Sequence, residues 1–304
     1  MDVETRTVAA GDGRELCLEL GGDPLGTPVL VHGGTPNSRH LFGPWLGDAE
    51  RRRIRLISYD RPGYGGSTPD PSHTVADGAE DVRAIAAALE IDRLGMWGYS
   101  GGGPYTLACA ALLPDMVIAA ATVGSVAPYG APGLDYFTGT GQDNVDAIQL
   151  YFSDPVAARK QSIDDREEML KATPEQVAEV LKSLLSPIDS AALSGDLAAF
   201  FHYSSHDGLA PGDAGWWDDG VAHLQPWGFD LEAIRIPVKV WHGRHDRFVP
   251  FQHGEWLAEH VPGAEAELSE EDGHLTLLTE RVGDVHAWLL GKLEADPSPA
   301  RPDN

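Results

Sequence analysis

Cysteine is nearly absent. Cys17, near the start, and Cys109, inside a predicted helix, are the two present in 304 residues, which argues against a disulfide framework and fits a reducing compartment. Basic residues are also scarce: 22 Lys and Arg stand against 47 Asp and Glu, a formal net charge of -25. Such a surface repels phosphate backbones and anionic lipid head groups, so neither nucleic acid nor a membrane is an expected partner. The carboxylates are scattered rather than massed, which reads as solubility and not as a binding patch. No apolar run reaches the roughly 18 residues of a membrane span. The first twenty residues lack a basic stretch followed by an apolar one, so a cytoplasmic location is expected. No internal repeat of fixed period is visible.

What is present is ordinary for a compact protein: 42% hydrophobic and 8% aromatic residues, in a chain long enough to bury about three quarters of its unfolded surface. Short β-branched runs at Pro28–His32, Ile54–Asp60, Leu94–Tyr99, Met116–Val123, Pro237–His242 and Ala264–Ser269 predict strands. Helical patterns at Thr74–Leu89 and Pro104–Leu113 lie between them, an alternation that gives a mostly parallel sheet wrapped by helices, preceded by two antiparallel strands. From about Val126 to Trp227 the strand signal vanishes. Helical periodicity broken by Pro155, Pro174, Pro187 and Pro211 takes its place. There, Thr173 can cap a helix whose first turn holds Pro174 and whose Gln176 reaches back. The expected organisation is an α/β core over 1–125 and 228–295, a helical cap inserted over 126–227, and a Pro-rich tail over 296–304.

The stretch Trp97-Gly98-Tyr99-Ser100-Gly101-Gly102 follows an apolar run and precedes an Ala-rich helix. A side chain projects alone above a sheet when the backbone turns sharply from strand to helix with strained dihedrals, which requires small neighbours such as Gly98 and Gly102. Ser100 would occupy the apex, with the first helical amides, Gly101 foremost, aimed at charge developing beside its hydroxyl. The alternative is a Gly-rich turn whose serine caps the helix. In this segment the chain resembles the α/β-hydrolase superfamily, which implies an eight-stranded-type, mostly parallel sheet with an inserted cap.

A serine hydroxyl needs a base, and the base a carboxylate that holds its tautomer. In the superfamily these follow the serine in the order acid, then histidine. Gly243-Arg244-His245-Asp246-Arg247-Phe248-Val249-Pro250 resembles its G-x-x-D-x-x-V-P segment, which implies Asp246 as the acid. Asp272-Gly273-His274 resembles its D-G-H loop, which implies His274 as the base; His242, His245 and His286 are the nearest rivals. His32-Gly33-Gly34-Thr35-Pro36 resembles the loop that supplies the second oxyanion donor, implying the Gly34 amide, with Thr35 as runner-up, and leaving His32 a structural role. Ser58-Tyr59-Asp60-Arg61-Pro62-Gly63-Tyr64-Gly65-Gly66-Ser67 is a further resemblance that bears on fold alone.

A serine at position 100 argues against alkyl-enzyme chemistry, which uses a carboxylate nucleophile, and for acyl transfer. The expected reaction is carboxylesterase-like cleavage of a small-molecule ester through an acyl-enzyme, with no metal and no cofactor, by a monomer or homodimer. Carbon–carbon bond hydrolysis uses the same triad. Proline iminopeptidases share fold and cap but carry HGGPG and an elbow tryptophan where this chain has His32-Gly33-Gly34-Thr35-Pro36 and Tyr99. A small-molecule receptor with an intact triad and slow turnover is the reading from a different class. Thr35 and Tyr99 of the core and Trp216 and Trp217 of the cap are the expected substrate contacts; the cap aromatics, which also include Phe200, Phe201, Tyr203 and Trp227, build its core as well. Asp218 and Asp219 read as a solvated turn, with recognition of a cationic group as the alternative.

Overall fold

The computed structural model describes residues 3–36 and 38–296. Eight strands form one sheet: β1 (Glu4–Ala9), β2 (Glu15–Gly22), β3 (Thr27–His32), β4 (Ile54–Tyr59), β5 (Leu94–Tyr99), β6 (Val117–Val123), β7 (Val238–Gly243) and β8 (Glu265–Ser269), in the spatial order β1-β2-β4-β3-β5-β6-β7-β8. The first two pairings are antiparallel and the rest parallel. The six strands predicted from β-branched runs all form, with ends within one residue of expectation. Of the 296–304 tail only Asp296 lies within the described residues.

Alternation along the strands sorts the core into two layers. Val29 and Val31 of β3, with Leu56, Trp97 and Trp241, face α1 (Gly43–Arg52) and the C-terminal helix α12 (Val282–Ala295). Leu30, Ile57, Met96 and Val240 face the other way, against α2 (Gly78–Ala88), α3 (Gly102–Leu112) and α10 (Phe251–His260). The inner strands β3 to β7 are buried on both faces because helices cover both, which is why they read as near-continuous apolar runs, while the edge strands β1 and β8 are largely exposed. Trp45 of α1 meets Trp97 edge-on at 5.0 Å and donates its indole N–H to Leu278 O at 2.8 Å, joining that layer to the segment after β8.

Between β6 and β7 no strand occurs among the described residues. The segment forms α4 (Gln142–Ser153), α5 (Pro155–Lys171), α6 (Val177–Val180), α7 (Pro187–Ala192), α8 (Gly195–Leu209) and α9 (Ala214–Leu224). Three of its four named prolines, Pro155, Pro174 and Pro187, open helical turns, while Pro211 lies in the break between α8 and α9. Pro155 follows the cap Asp154, which accepts from Ala157 N, and Pro187 follows Ser186. Thr173 caps a 3-10 turn as expected, its N–H donating to the Gln176 side chain at 2.9 Å. The short α11 (His274–Thr276) follows β8.

The helix after β5 starts at Gly102 and not at Pro104. Read locally, two glycines before a proline look like turn, but they form the first turn of the helix, and they are glycines because nothing larger fits. A Cβ on Gly102 would collide with the carbonyl oxygens of His32 and Gly33, and one on Gly98 with Thr106 Oγ1 and Gly102 O.

Candidate active site

Everything of chemical interest lies at the C-terminal ends of the parallel strands, where α/β sheets form crevices. Ser100 follows β5 with φ +52°, a left-handed conformation that costs a non-glycine residue roughly 1–2 kcal/mol. The amide of Ser100 donates to Val123 O at 2.9 Å and its carbonyl accepts from Gly103 N at 3.0 Å, so hydrogen bonds on both sides hold the turn.

After β7, Asp246 turns back beneath its own loop. Its Oδ1 accepts from Val249 N at 2.8 Å, and Oδ2 meets His274 Nδ1 at 2.6 Å. His274, in turn, stacks on Phe248 with ring centroids 4.7 Å apart. Burial, the largest influence on His274, works to lower its pKa. The charge and hydrogen bond of Asp246, with the charge of Asp189, outweigh it, and the imidazole lies above the ordinary histidine value of 6.5. Since a carboxylate can only accept, Nδ1 carries the proton and Nε2 is the basic nitrogen. The rivals are committed elsewhere: His242 Nε2 donates to Val249 O at 2.8 Å, His286 Nδ1 pairs with Asp48 at 2.9 Å, and His245 is exposed. His32 is buried with Nδ1 on Thr106 Oγ1 at 3.0 Å, a structural role.

The loop after β3 is fixed by a buried ion pair. Arg61 donates from Nη1 to Gly33 O at 2.5 Å and from Nη2 to Gly34 O at 2.7 Å. Its Nε and Nη2 reach Asp219 at 3.1 and 2.5 Å. Asp219, on α9, also accepts from Thr35 Oγ1 at 2.6 Å, Tyr105 Oη at 2.7 Å and Tyr64 Oη at 3.2 Å. Burial, the largest influence, would raise its pKa, but the Arg61 charge and hydrogen bond, a hydrogen bond from His73 and the charge of His223 hold it well below the usual carboxylate range. In a trans peptide the C=O and N–H point oppositely, so carbonyls of Gly33 and Gly34 turned toward Arg61 turn the N–H groups of Gly34 and Thr35 away from it. Gly34 abuts Ser100: a Cβ there would lie 3.3 Å from Ser100 Cβ. Asp219 is thus no solvated turn residue, and that expectation is corrected by its complete burial.

A cavity of about 430 Å³ opens above these groups, with Gly34, Thr35, Ser100, Gly101 and His274 on its floor. Among the described residues no hydrogen bond joins Ser100 to His274; bonds of this type often tighten only when a substrate is in place. Tyr99 lines the cavity yet is almost fully buried, its ring held by Trp45 and Trp97. Trp216 and Phe201 line it as well. Trp217 does not. Neighbouring positions on a helix differ by about 100° in direction, so with Trp216 turned inward Trp217 faces out, under Arg159 at 5.0 Å and edge-on to Tyr151 at 5.9 Å. Phe200 packs on Phe42 and Trp45, Trp227 on Phe229, and Tyr203 is exposed beside His40. Trp216→Ala is therefore expected to raise KM several-fold for a substrate bound in this cavity and Trp217→Ala to leave it unchanged, a contrast that steady-state kinetics on the two variants reads directly.

Sequence reasoning missed three residues here. His223 on α9 lines the cavity and shares a hydrogen bond with Gly101 O at 2.8 Å. Burial holds it below the ordinary histidine range, so it is neutral and Nε2 carries the donated proton. Trp216, Asp219 and His223 stand at i, i+3 and i+7, one helical face, and that spacing was the available signal. Arg61 and Asp189 had none: their partners lie far away in sequence.

A family model described as alpha/beta hydrolase fold matches residues 27–281. Among similar proteins, the AB hydrolase superfamily protein YisY of Bacillus subtilis is 26% identical over 263 residues, covering 84% of this chain and 88% of its own. The 2-hydroxy-6-oxononadienedioate/2-hydroxy-6-oxononatrienedioate hydrolase of Klebsiella pneumoniae is 22% identical over 268 residues, 86% of each chain. An esterase (EaEST) from Exiguobacterium antarcticum has a similar structure, with TM-score 0.69 and 23% identity over 94% of this chain and 100% of that one; at this identity the likeness concerns the fold.

Proposed function

The chain belongs to the alpha/beta hydrolase fold family, and from that premise we propose that it hydrolyses a small-molecule carboxylic ester through an acyl-enzyme at Ser100. The observation that carries this reading is the conjunction of a strained serine at the tip of β5, φ +52°, with a buried Asp246–His274 pair opening on the same cavity. Ser100 Oγ attacks the ester carbonyl as its proton passes to His274 Nε2. The Gly34 and Gly101 amides receive the oxyanion, His274 protonates the leaving alkoxide, and a water deprotonated by His274 then releases the acid and restores Ser100. The helical insertion acts as a cap over the acyl group.

The cavity wall bears on substrate charge. Asp143, Asp165 and Glu168 line it, and among the described residues no Lys or Arg does. Burial and the charges of Glu168, Asp164 and Asp143 raise the Asp165 pKa, as crowded carboxylates should. Anionic diketone acids of the kind cleaved by carbon–carbon hydrolases therefore fit poorly and uncharged esters better. A free amino group also suits such a wall, which is the observation in favour of the peptidase reading. Many turnovers of p-nitrophenyl acyl esters, with little on aminoacyl p-nitroanilides, is the outcome this reading requires. The reverse ranking would move the assignment to the peptidases, and one covalent event without turnover to a receptor.

The raised His274 pKa sets the pH profile. The base must be neutral, so kcat/KM is expected to rise with pH through a midpoint above 6.5 and to be lost as pH falls through it. A pH–rate profile whose acid limb lies below 6.5 would contradict the environment described for His274.

A further inference from the structure

Asp189 sits on α7, in the helical insertion, 85 residues before His274, and is completely buried. Its carboxylate does not look toward its own helix alone. Oδ2 accepts from His274 N at 3.1 Å and Oδ1 from Leu275 N at 2.7 Å and Thr276 N at 3.4 Å. Ser186, the cap of α7, donates its hydroxyl to Oδ2 at 2.8 Å and accepts from Asp189 N at 3.3 Å, which fixes the carboxylate's rotamer. The fit against the loop is tight: a Cβ on Gly273 would run into the Asp189 carboxylate. Asp189 thus caps α11 from outside, binding three successive amides of the segment that begins with the histidine.

We propose that Asp189 is a positioning residue for His274: through the backbone it sets where the imidazole stands over the cavity, and through its charge it sustains the imidazolium formed when Ser100 is deprotonated. The inference rests on the ester-hydrolase reading for its kinetic consequence. Its electrostatic part stands on geometry that does not depend on the substrate.

The titratable groups around the imidazole are few. Asp246 and His242 approach from β7 and the loop after it, Ser100 from the end of β5, and Asp189 from α7. Asp246 contacts the ring itself, so its loss would remove the orienting hydrogen bond and the charge together. Asp189 contacts only the loop's backbone. Its charge can be removed while the Asp246–His274 bond stays in place, and the field at the ring, not its tautomer, is what then changes. A carboxylate nearby favours the charged imidazole, so removing it lowers the pKa.

The experiment pairs kinetics with direct titration of the His274 ring by NMR, assigned by its loss in His274→Asn, on the full chain. In Asp189→Asn the ring titration and the acid limb of kcat/KM are expected to move together to lower pH, and the plateau of kcat/KM to fall about tenfold to a hundredfold from the loosened loop. Ser186→Ala keeps the charge, so its titration should not move downward although its plateau falls slightly. Should Asp189→Asn not fold, Gly273→Ala pushes the loop off the carboxylate and should move the titration in the same direction. An unmoved titration in whichever of these two variants folds overturns the proposal, as does a wild-type plateau in Asp189→Asn. Absence of esterase turnover in the parent protein would defeat the ester reading alone, because the ring titration still reports on Asp189.

Discussion

Replacing Ser100 by alanine is expected to lower ester turnover by at least about 10⁴-fold, leaving only what binding and the oxyanion amides supply. The fold should survive, because the methyl group fits where the Cβ already stands. Ser100→Gly should be as inactive but more stable than Ser100→Ala. The residue at φ +52° pays the left-handed penalty of roughly 1–2 kcal/mol unless it is glycine, and the greater freedom of glycine in the unfolded chain returns roughly 0.4–1 of that. The expected difference in urea unfolding free energy is therefore roughly 0–1.6 kcal/mol, about 0.8 at the midpoint, in favour of glycine. A glycine variant less stable than the alanine variant would mean that the turn is not strained, and residual turnover within tenfold of the parent would mean that another nucleophile acts.

The second large effect is expected at Asp219. Asp219→Ala leaves the buried Arg61 guanidinium without its counter-charge and Tyr64, Tyr105 and Thr35 without their acceptor. Breaking a buried pair from one side costs about 3–5 kcal/mol. The same change releases the Gly33 and Gly34 carbonyls that Arg61 holds, and a displaced oxyanion donor costs about 10² to 10³ in kcat. Both losses should appear together in protein purified at low temperature and assayed below its melting point. The neighbouring Asp218, whose one ion pair among the described residues is with Arg159 at 4.0 Å, should tolerate alanine at less than about 1 kcal/mol and with unchanged kcat. An Asp219→Ala protein that loses stability but keeps kcat would show that the oxyanion loop holds its shape without the pair.

Adjacent aspartates with opposite fates show where the sequence stopped being informative. The inner strands were legible because burial on both faces leaves near-unbroken apolar runs, and the turn at Ser100 because its glycines answer to steric limits that act within a few residues. Asp246 and His274 were legible through local segments that resemble a family's. Asp219 and Asp189 were not, since each derives its state from partners more than eighty residues away: Asp219 from Arg61, 158 residues distant, and Asp189 from the amides after Gly273. Locally, Ser186-Pro187-Ile188-Asp189 looks like nothing more than a helix start, and Asp218-Asp219 like a polar turn. The same limit explains Trp217. A Trp-Trp pair advertises two large apolar groups, yet which of them faces the cavity follows from the rotation of α9, and that is fixed by Asp219 on Arg61.

The central claim is that the Ser100 hydroxyl is activated by His274 over one cavity. Intact-protein mass spectrometry after exposure to a fluorophosphonate, followed by peptide mapping, tests it without reference to any substrate. A single adduct on Ser100, absent in Ser100→Ala and formed at least about a hundredfold more slowly in His274→Ala, is the predicted result. An adduct on another residue, or labelling of Ser100 at the same rate without the imidazole, would contradict it.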